Sequence, residues 1–173
     1  MSYCNLTLCL VYWGRVTLTI WYTSAMKATN DKVKELLKSV IGLKLWNARQ
    51  TVGIKFELGK EIEKGRSEYH FWIFCSHWWL KKGKGRDCED IVNSESNKNN
   101  IEKKVKILND KKLIEVEYHE DGKTTFFDFE DDMFLHVAPY GSDKEDQPQW
   151  QLFTDNEIVT LQQDGDYRVE PNE

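Results

Sequence analysis

Two stretches of this chain carry the same apolar pattern. Laying VKELLKSVIGLKLWNARQ (33–50) over IEKKVKILNDKKLIEVEY (101–118) puts Val33 on Ile101, Leu37 on Val105, Val40 on Leu108 and Lys44-Leu45 on Lys112-Leu113, at a constant offset of 68. The order continues downstream. FEL (56–58) meets FDF (127–129) at an offset of 71, and WWL (78–80) meets WQL (150–152) at 72. Matches in preserved order with a slowly drifting offset are what a duplication followed by small loop changes leaves behind. The expected fold class is α+β: two tandem helix-plus-antiparallel-strand repeats sharing a mostly antiparallel sheet or a common core.

Each half opens on a short helix. Val33, Leu36, Leu37, Val40 and Ile41 have helical spacing after a capping Asn30 or Asp31, and Gly42 is a suitable residue just past the end. Ile101, Val105 and Leu108 repeat the spacing, ending at Asn109-Asp110. Strands follow in each half. KLWNARQ and LIEVEY are the first, GIKFEL and TTFFDFE the second, YHFWIFCSHWWL and MFLHVAP the third. Trp150-Gln151-Leu152 and EIVTLQQDGDYRVE supply more, with Asp164-Gly165 as a turn. The expected organisation is an apolar extension over 1–25, a first repeat over 26–82, a polar connector over 83–100 and a second repeat over 101–173. Within the extension, NLTLCLVYWGRVTLTIWY (5–22) reads as a hairpin about Gly14-Arg15, or else Met26 is the true start. It has no basic n-region, and Arg15 interrupts its apolar run, which argues against a secretory signal or a membrane span.

The charge is unevenly placed. Residues 1–112 carry 21 basic and 12 acidic groups, whereas residues 113–173 carry 3 basic and 17 acidic. Such asymmetry fits an oriented partner of opposite sign. Glu115 and Glu117 alternate with Ile114, Val116 and Tyr118 and so lie on the solvent face of a half-buried strand. Asp128 and Glu130 would join them from the paired strand, and Glu130-Asp131-Asp132 forms the following turn. These six acids, Glu115, Glu117, Asp128, Glu130, Asp131 and Asp132, are the expected partner-binding residues, and the expected partner is a basic protein.

Other chemistries are less well served. HFWIFCSHWWLKKGKG (70–85) holds two His, a Cys and three Trp. Read as one continuous strand, it places Cys75 and His77 on a common face, and a tetrahedral metal site needs two more ligands that the neighbourhood does not offer. The run is apolar on both faces, as a strand buried on both sides would be. Its aromatic residues precede the cationic ones rather than interleaving with them, and the acidic last third would repel phosphate, so nucleic acid is not the expected partner. A carboxylate cluster on the second repeat could hold Mg²⁺ or move protons, but the alternation accounts for it as solvated surface. Glu102-Lys103-Lys104, a spacing found in metal nucleases, falls on a helix where that arrangement does not work. No nucleophile elbow is present. The chain is therefore expected to be non-enzymatic, without metal or cofactor, and not a membrane protein. Four cysteines without a CxxC pair point to reduced thiols and a cytoplasmic setting. The function expected is that of an immunity- or inhibitor-type interaction module. The alternative is a small-molecule or nucleotide-binding domain with a pocket made by Trp46, Trp72 or Trp150.

Overall fold

The computed structural model describes residues 26–27, 30–83, 88–119, 123–141 and 147–172. The expectations for 1–25, including the hairpin and the alternative start, lie outside the described residues. So does the tight turn at 120–122.

Among the described residues the chain is dominated by strands, with two α-helices. β1 (Met26–Lys27) leads to α1 (Asn30–Val40), then β2 (Leu45–Thr51), β3 (Gly53–Glu63), β4 (Arg66–Ile73), β5 (Ser76–Lys82) and β6 (Glu89–Asn93). α2 (Lys98–Val105), with a 3-10 turn over Lys106–Leu108, leads to β7 (Leu113–His119), β8 (Thr124–Phe129), β9 (Met133–Pro139), β10 (Pro148–Phe153), β11 (Glu157–Gln162) and β12 (Tyr167–Pro171). The strands form two antiparallel sheets. One is seven-stranded in the order β1-β12-β11-β10-β4-β3-β2, and the other five-stranded in the order β6-β5-β9-β8-β7. The chain changes sheet between β4 and β5 and returns between β9 and β10. The seven-stranded sheet therefore holds strands from both ends of the sequence, and the five-stranded sheet holds those from its middle.

The sheets pack face to face over one apolar core. Phe56, Phe71 and Trp150 of the larger sheet meet Phe127 and Phe129 of the smaller one, mostly edge to face, with ring centroids 5.0–6.3 Å apart. That is the arrangement ring quadrupoles favour. Trp150 also donates its Nε1 proton to Thr125 Oγ1 at 2.9 Å, a buried polar link between the sheets. Of the helical apolar positions read from the sequence, Val33, Leu37, Val40, Ile101, Val105 and Leu108 are buried, Leu36 is half-buried and Ile41 is exposed. Asn97 caps α2, its side chain accepting from the Asn100 amide.

Main-chain hydrogen bonds join the chain after α1 to the chain after α2. Leu45 N donates to Lys111 O at 2.8 Å, and 68 residues on, Leu113 N donates to Leu43 O at 3.0 Å. Gly42 N donates to Leu113 O at 2.7 Å, and Asp110 N to Leu45 O at 2.8 Å. Between them Lys44 forms an antiparallel bridge with Lys112. Gly42 and Asp110 both have positive φ, 83° and 70°, and each turns the chain out of its helix.

Three expectations are corrected. First, residues 70–80 are not one strand buried on both sides. Cys75 takes a left-handed conformation (φ 41°) and breaks the run into β4 and β5. Gln163 Nε2 donates to Cys75 O at 2.6 Å and Ser76 Oγ to Phe74 O at 2.9 Å, which pin the kink. The break resets the alternation, so that Phe71, Ile73, Trp78 and Leu80 all point to the core, while His70, Trp72, His77 and Trp79 lie half-buried on the outer faces. Cys75 and His77 therefore do not share a strand face. Second, Ile114 is 49% exposed instead of sharing the inward face with Val116. A β-bulge between Leu113 and Glu115 lets Leu113 and Val116 both face inward. Third, the polar connector is not wholly irregular: Glu89–Asn93 pairs with β5, and α2 begins at Lys98.

Trp78 and Trp150 occupy matching places. Trp78 pairs with Val137 and Trp150 with Ile73, each in a central strand and each buried. Replacing either by Ala is expected to cost about 3–5 kcal/mol in denaturant unfolding. Trp150→Ala should be the costlier because it also leaves the Thr125 hydroxyl without its donor. A loss below about 1 kcal/mol at either position would contradict this placement.

Candidate functional site

The outer face of the five-stranded sheet is covered by no described element. Two rows of side chains cross it. In one, Trp79 pairs with His136, His136 with Phe126, and Phe126 with Glu117; in the other, Lys81 pairs with Phe134, Phe134 with Asp128, and Asp128 with Glu115. The first row stacks: His136 lies 4.7 Å from Phe126 at an interplanar angle of 13°, and 5.0 Å from Trp79. Burial, with Lys81 nearby, holds the His136 imidazole below its usual range, so it is a neutral ring in the stack.

The expected partner-binding residues fall together at the β7–β8 end of this face. Glu117, Asp128, Glu130, Asp131 and Asp132 line one open groove of about 730 Å³, floored by Phe126, Phe129 and Phe134. Glu115 stands beside Asp128. Their local settings differ. Asp131 is ion-paired with Lys111, which holds its carboxyl below the usual range. Glu130 accepts from the Lys112 amide at 3.1 Å and lies 3.9 Å from its Nζ. Asp128 is the reverse case. Partial burial raises it above the ordinary carboxylate value, and Glu117 and Glu115 raise it further. Among the described residues no Lys or Arg is paired with Glu115, Glu117 or Asp128. Nor do the described residues contain a His/Cys/Asp/Glu group able to hold a metal ion.

The other outer face carries a polar cluster that the sequence reading missed. Glu57, 2% exposed, accepts from Arg49 Nη2 at 3.0 Å and from Ser67 Oγ at 2.7 Å, and His70 Nδ1 lies 3.9 Å away. His70 stacks on Phe153 with centroids 4.2 Å apart. Burial and then the Lys55 charge push its pKa down to about 4 despite Glu57, so the imidazole is neutral and its contact with Glu57 is not an ion pair. The burial of Lys55 in turn lowers its own pKa, an effect Glu57 opposes. One signal for this cluster lay in the FEL/FDF match, which sets Glu57 at the place of Asp128.

The tryptophans proposed as a pocket do not converge. Trp150 is in the core, whereas Trp46 and Trp72 lie on the outer face and donate to Gly59 O at 3.1 Å and Val52 O at 2.9 Å. Among the described residues no helix is long and apolar enough to cross a membrane. No family model, curated protein or solved structure matches this chain.

His70 yields a pH prediction. Between the ordinary value of 6.5 and about 4, the unfolded chain binds a proton at this site and the folded chain does not. Its contribution to stability is complete above the unfolded value and is lost as the pH falls through that window. His70→Phe should therefore flatten the fall in melting temperature between about pH 7 and about pH 5 relative to the native chain. Parallel curves for the two proteins would show that His70 titrates normally.

Proposed function

We propose that this chain is a non-enzymatic interaction module of the immunity or inhibitor kind, and that it binds a basic protein through the acidic outer face of β7 and β8. One contrast between the halves carries the reading. On β2 and β3, Arg49 and Glu57 form a cation–carboxylate pair. At the places 68 and 71 residues further on stand Glu117 and Asp128. The register agrees, since Arg49 pairs with Lys55 where Glu117 pairs with Phe126. A cation has given way to a second acid, and Asp128 is correspondingly harder to ionise. A guanidinium or ammonium from a partner would fill the role that Arg49 plays within the first half, in a setting flanked by Phe126 and Phe134. The charge-assisted bond gained and the repulsion relieved both favour association.

The same correspondence supports reading the two halves as copies of one helix-plus-strand unit. In this reading each copy gives its first three strands to one sheet and the next strands to the other. A cytoplasmic setting accords with the free thiols of Cys75 and Cys88.

The test supplies the missing cation from within. Glu117→Arg rebuilds beside Asp128 the pair that Arg49 makes with Glu57. Asp128 is easiest to accommodate while protonated: its contribution is fully present below 3.8 and lost as the pH rises through its raised value. The variant should thus melt higher than the native chain at neutral pH, with the gain shrinking in acid. Proteins captured from the host by the native chain should include a basic one that the variant fails to retain and that dissociates more readily as salt rises. Equal retention by both proteins would sink the acidic-face reading.

A further inference from the structure

The edges of β2 and β7 are treated differently. On β2 the Ala48 amide donates to Asn109 Oδ1 at 2.8 Å, and the Gln50 amide donates to Glu102 Oε2 at 2.8 Å. The acceptors come from α2 and the turn after it, and α2 packs against β2. Sixty-eight residues earlier, the places of Glu102 and Asn109 are taken by Lys34 on α1 and Ile41 just beyond it. Neither side chain carries an acceptor atom. On β7 the amides in matching register belong to Val116 and Tyr118, since Gln50 pairs with Ile54 where Tyr118 pairs with Thr125. In place of close packing, a groove of about 280 Å³ runs between α1 and β7, lined by Lys34, Leu37, Lys38 and Ile41 on one side and Ile114, Glu115 and Val116 on the other. Ile41 and Ile114 are 37% and 49% exposed in it.

We propose that the edge of β7 is a strand-addition site, and that its occupant is an extended segment of the basic partner in which apolar and basic side chains alternate. The inference rests on the basic-partner reading above and names the element that docks. A sheet edge offers a row of main-chain donors and acceptors to an incoming strand. Successive side chains of that strand point to opposite sides. One set enters the groove against Leu37, Ile41 and Val116. The other lies beside Glu115 and Glu117, where opposite charges on neighbouring strands attract. A second copy of this chain is the wrong occupant. Antiparallel pairing of β7 with itself about Val116 would set Glu115 against Glu117, acid opposite acid.

The probe is a short synthetic peptide alternating Lys and Val, titrated into the full chain. The blocking variant is Lys34→Glu with Ile41→Asn, which gives α1 the two acceptors that close β2. Both positions are exposed, and an unchanged melting profile would confirm that the fold is kept. The native chain should bind the peptide, and binding should slow hydrogen exchange at the Val116 and Tyr118 amides. The blocking variant should bind at least about tenfold more weakly, although Lys34→Glu adds negative charge and would by itself strengthen attraction for a cationic peptide. Equal affinity for both proteins would overturn the edge site while leaving the basic-partner reading to its own test. Protection of both amides in the free chain would overturn the edge site as well, because the edge would already be filled. Absence of peptide binding to the native chain would also overturn it.

Discussion

The corner where Lys44 bridges Lys112 organises the rest of the molecule. Four main-chain bonds surround it: Leu45 N to Lys111 O, Leu113 N to Leu43 O, Gly42 N to Leu113 O and Asp110 N to Leu45 O. They join the start of β2 in one sheet to the start of β7 in the other. Gly42, beyond the end of α1, and Asp110, beyond the 3-10 turn that follows α2, both have positive φ, so this corner turns the chain after each helical segment and joins the two sheets. Leu45 and Leu113 follow directly and are fully buried. From there the inward positions of β2, β3, β7 and β8 are set by alternation, with one bulge near the start of β2 and one near the start of β7. Main-chain bonds do not depend on side-chain identity. The corner therefore tolerates different side chains on its two arms.

How much of this could be read beforehand depended on whether local pattern and tertiary placement agreed. Both helices and most strands were legible because their apolar spacing is the spacing the core uses. The kink at Cys75 was not, because FWIFCSHWW is apolar on either parity and gives no sign of where alternation resets. The inward-facing Ile114 failed for a related reason: a bulge changes parity without leaving a glycine or proline to mark it. β6 was hidden because Glu89-Asp90-Ile91-Val92-Asn93 has two apolar residues and sits at a sheet edge, where polar side chains are tolerated. The acidic residues were legible as a group since alternation and hairpin pairing are local. The Glu57 cluster was not, because its burial comes from Arg49 on β2 and from Ser67 and His70 on β4, the strands on either side of its own.

The two outer faces carry their carboxylates in different settings. Around Glu57 a carboxylate, a guanidinium, a hydroxyl and a neutral imidazole satisfy one another, with Phe153 stacked on the ring. Burying a carboxylate is tolerable only under such conditions. At the matching place Asp128 has acids for neighbours and the phenyl rings of Phe126 and Phe134 beside it, and it keeps enough water contact to survive the repulsion. The first arrangement is closed, with its carboxylate satisfied from within the chain. The second is open and is improved by anything that brings a cation.

Both differences between the halves fall on the same strand. β7 carries Glu117 where β2 carries Arg49 in the same register, and among the described residues no side-chain acceptor is recorded at its edge as Asn109 and Glu102 are at that of β2. An uncovered sheet edge is a hazard because strands of other copies could add to it. Glu115 and Glu117 answer that hazard. They place like charges across any self-pairing of β7 and so oppose the chain's own aggregation, and they attract a strand that carries the opposite charge. A feature that repels copies of itself and accepts a cationic strand separates wrong partners from right ones with the same two residues. That double effect is the physical argument on which the proposal of β7, in preference to the aromatic stack of Trp79, His136 and Phe126, rests.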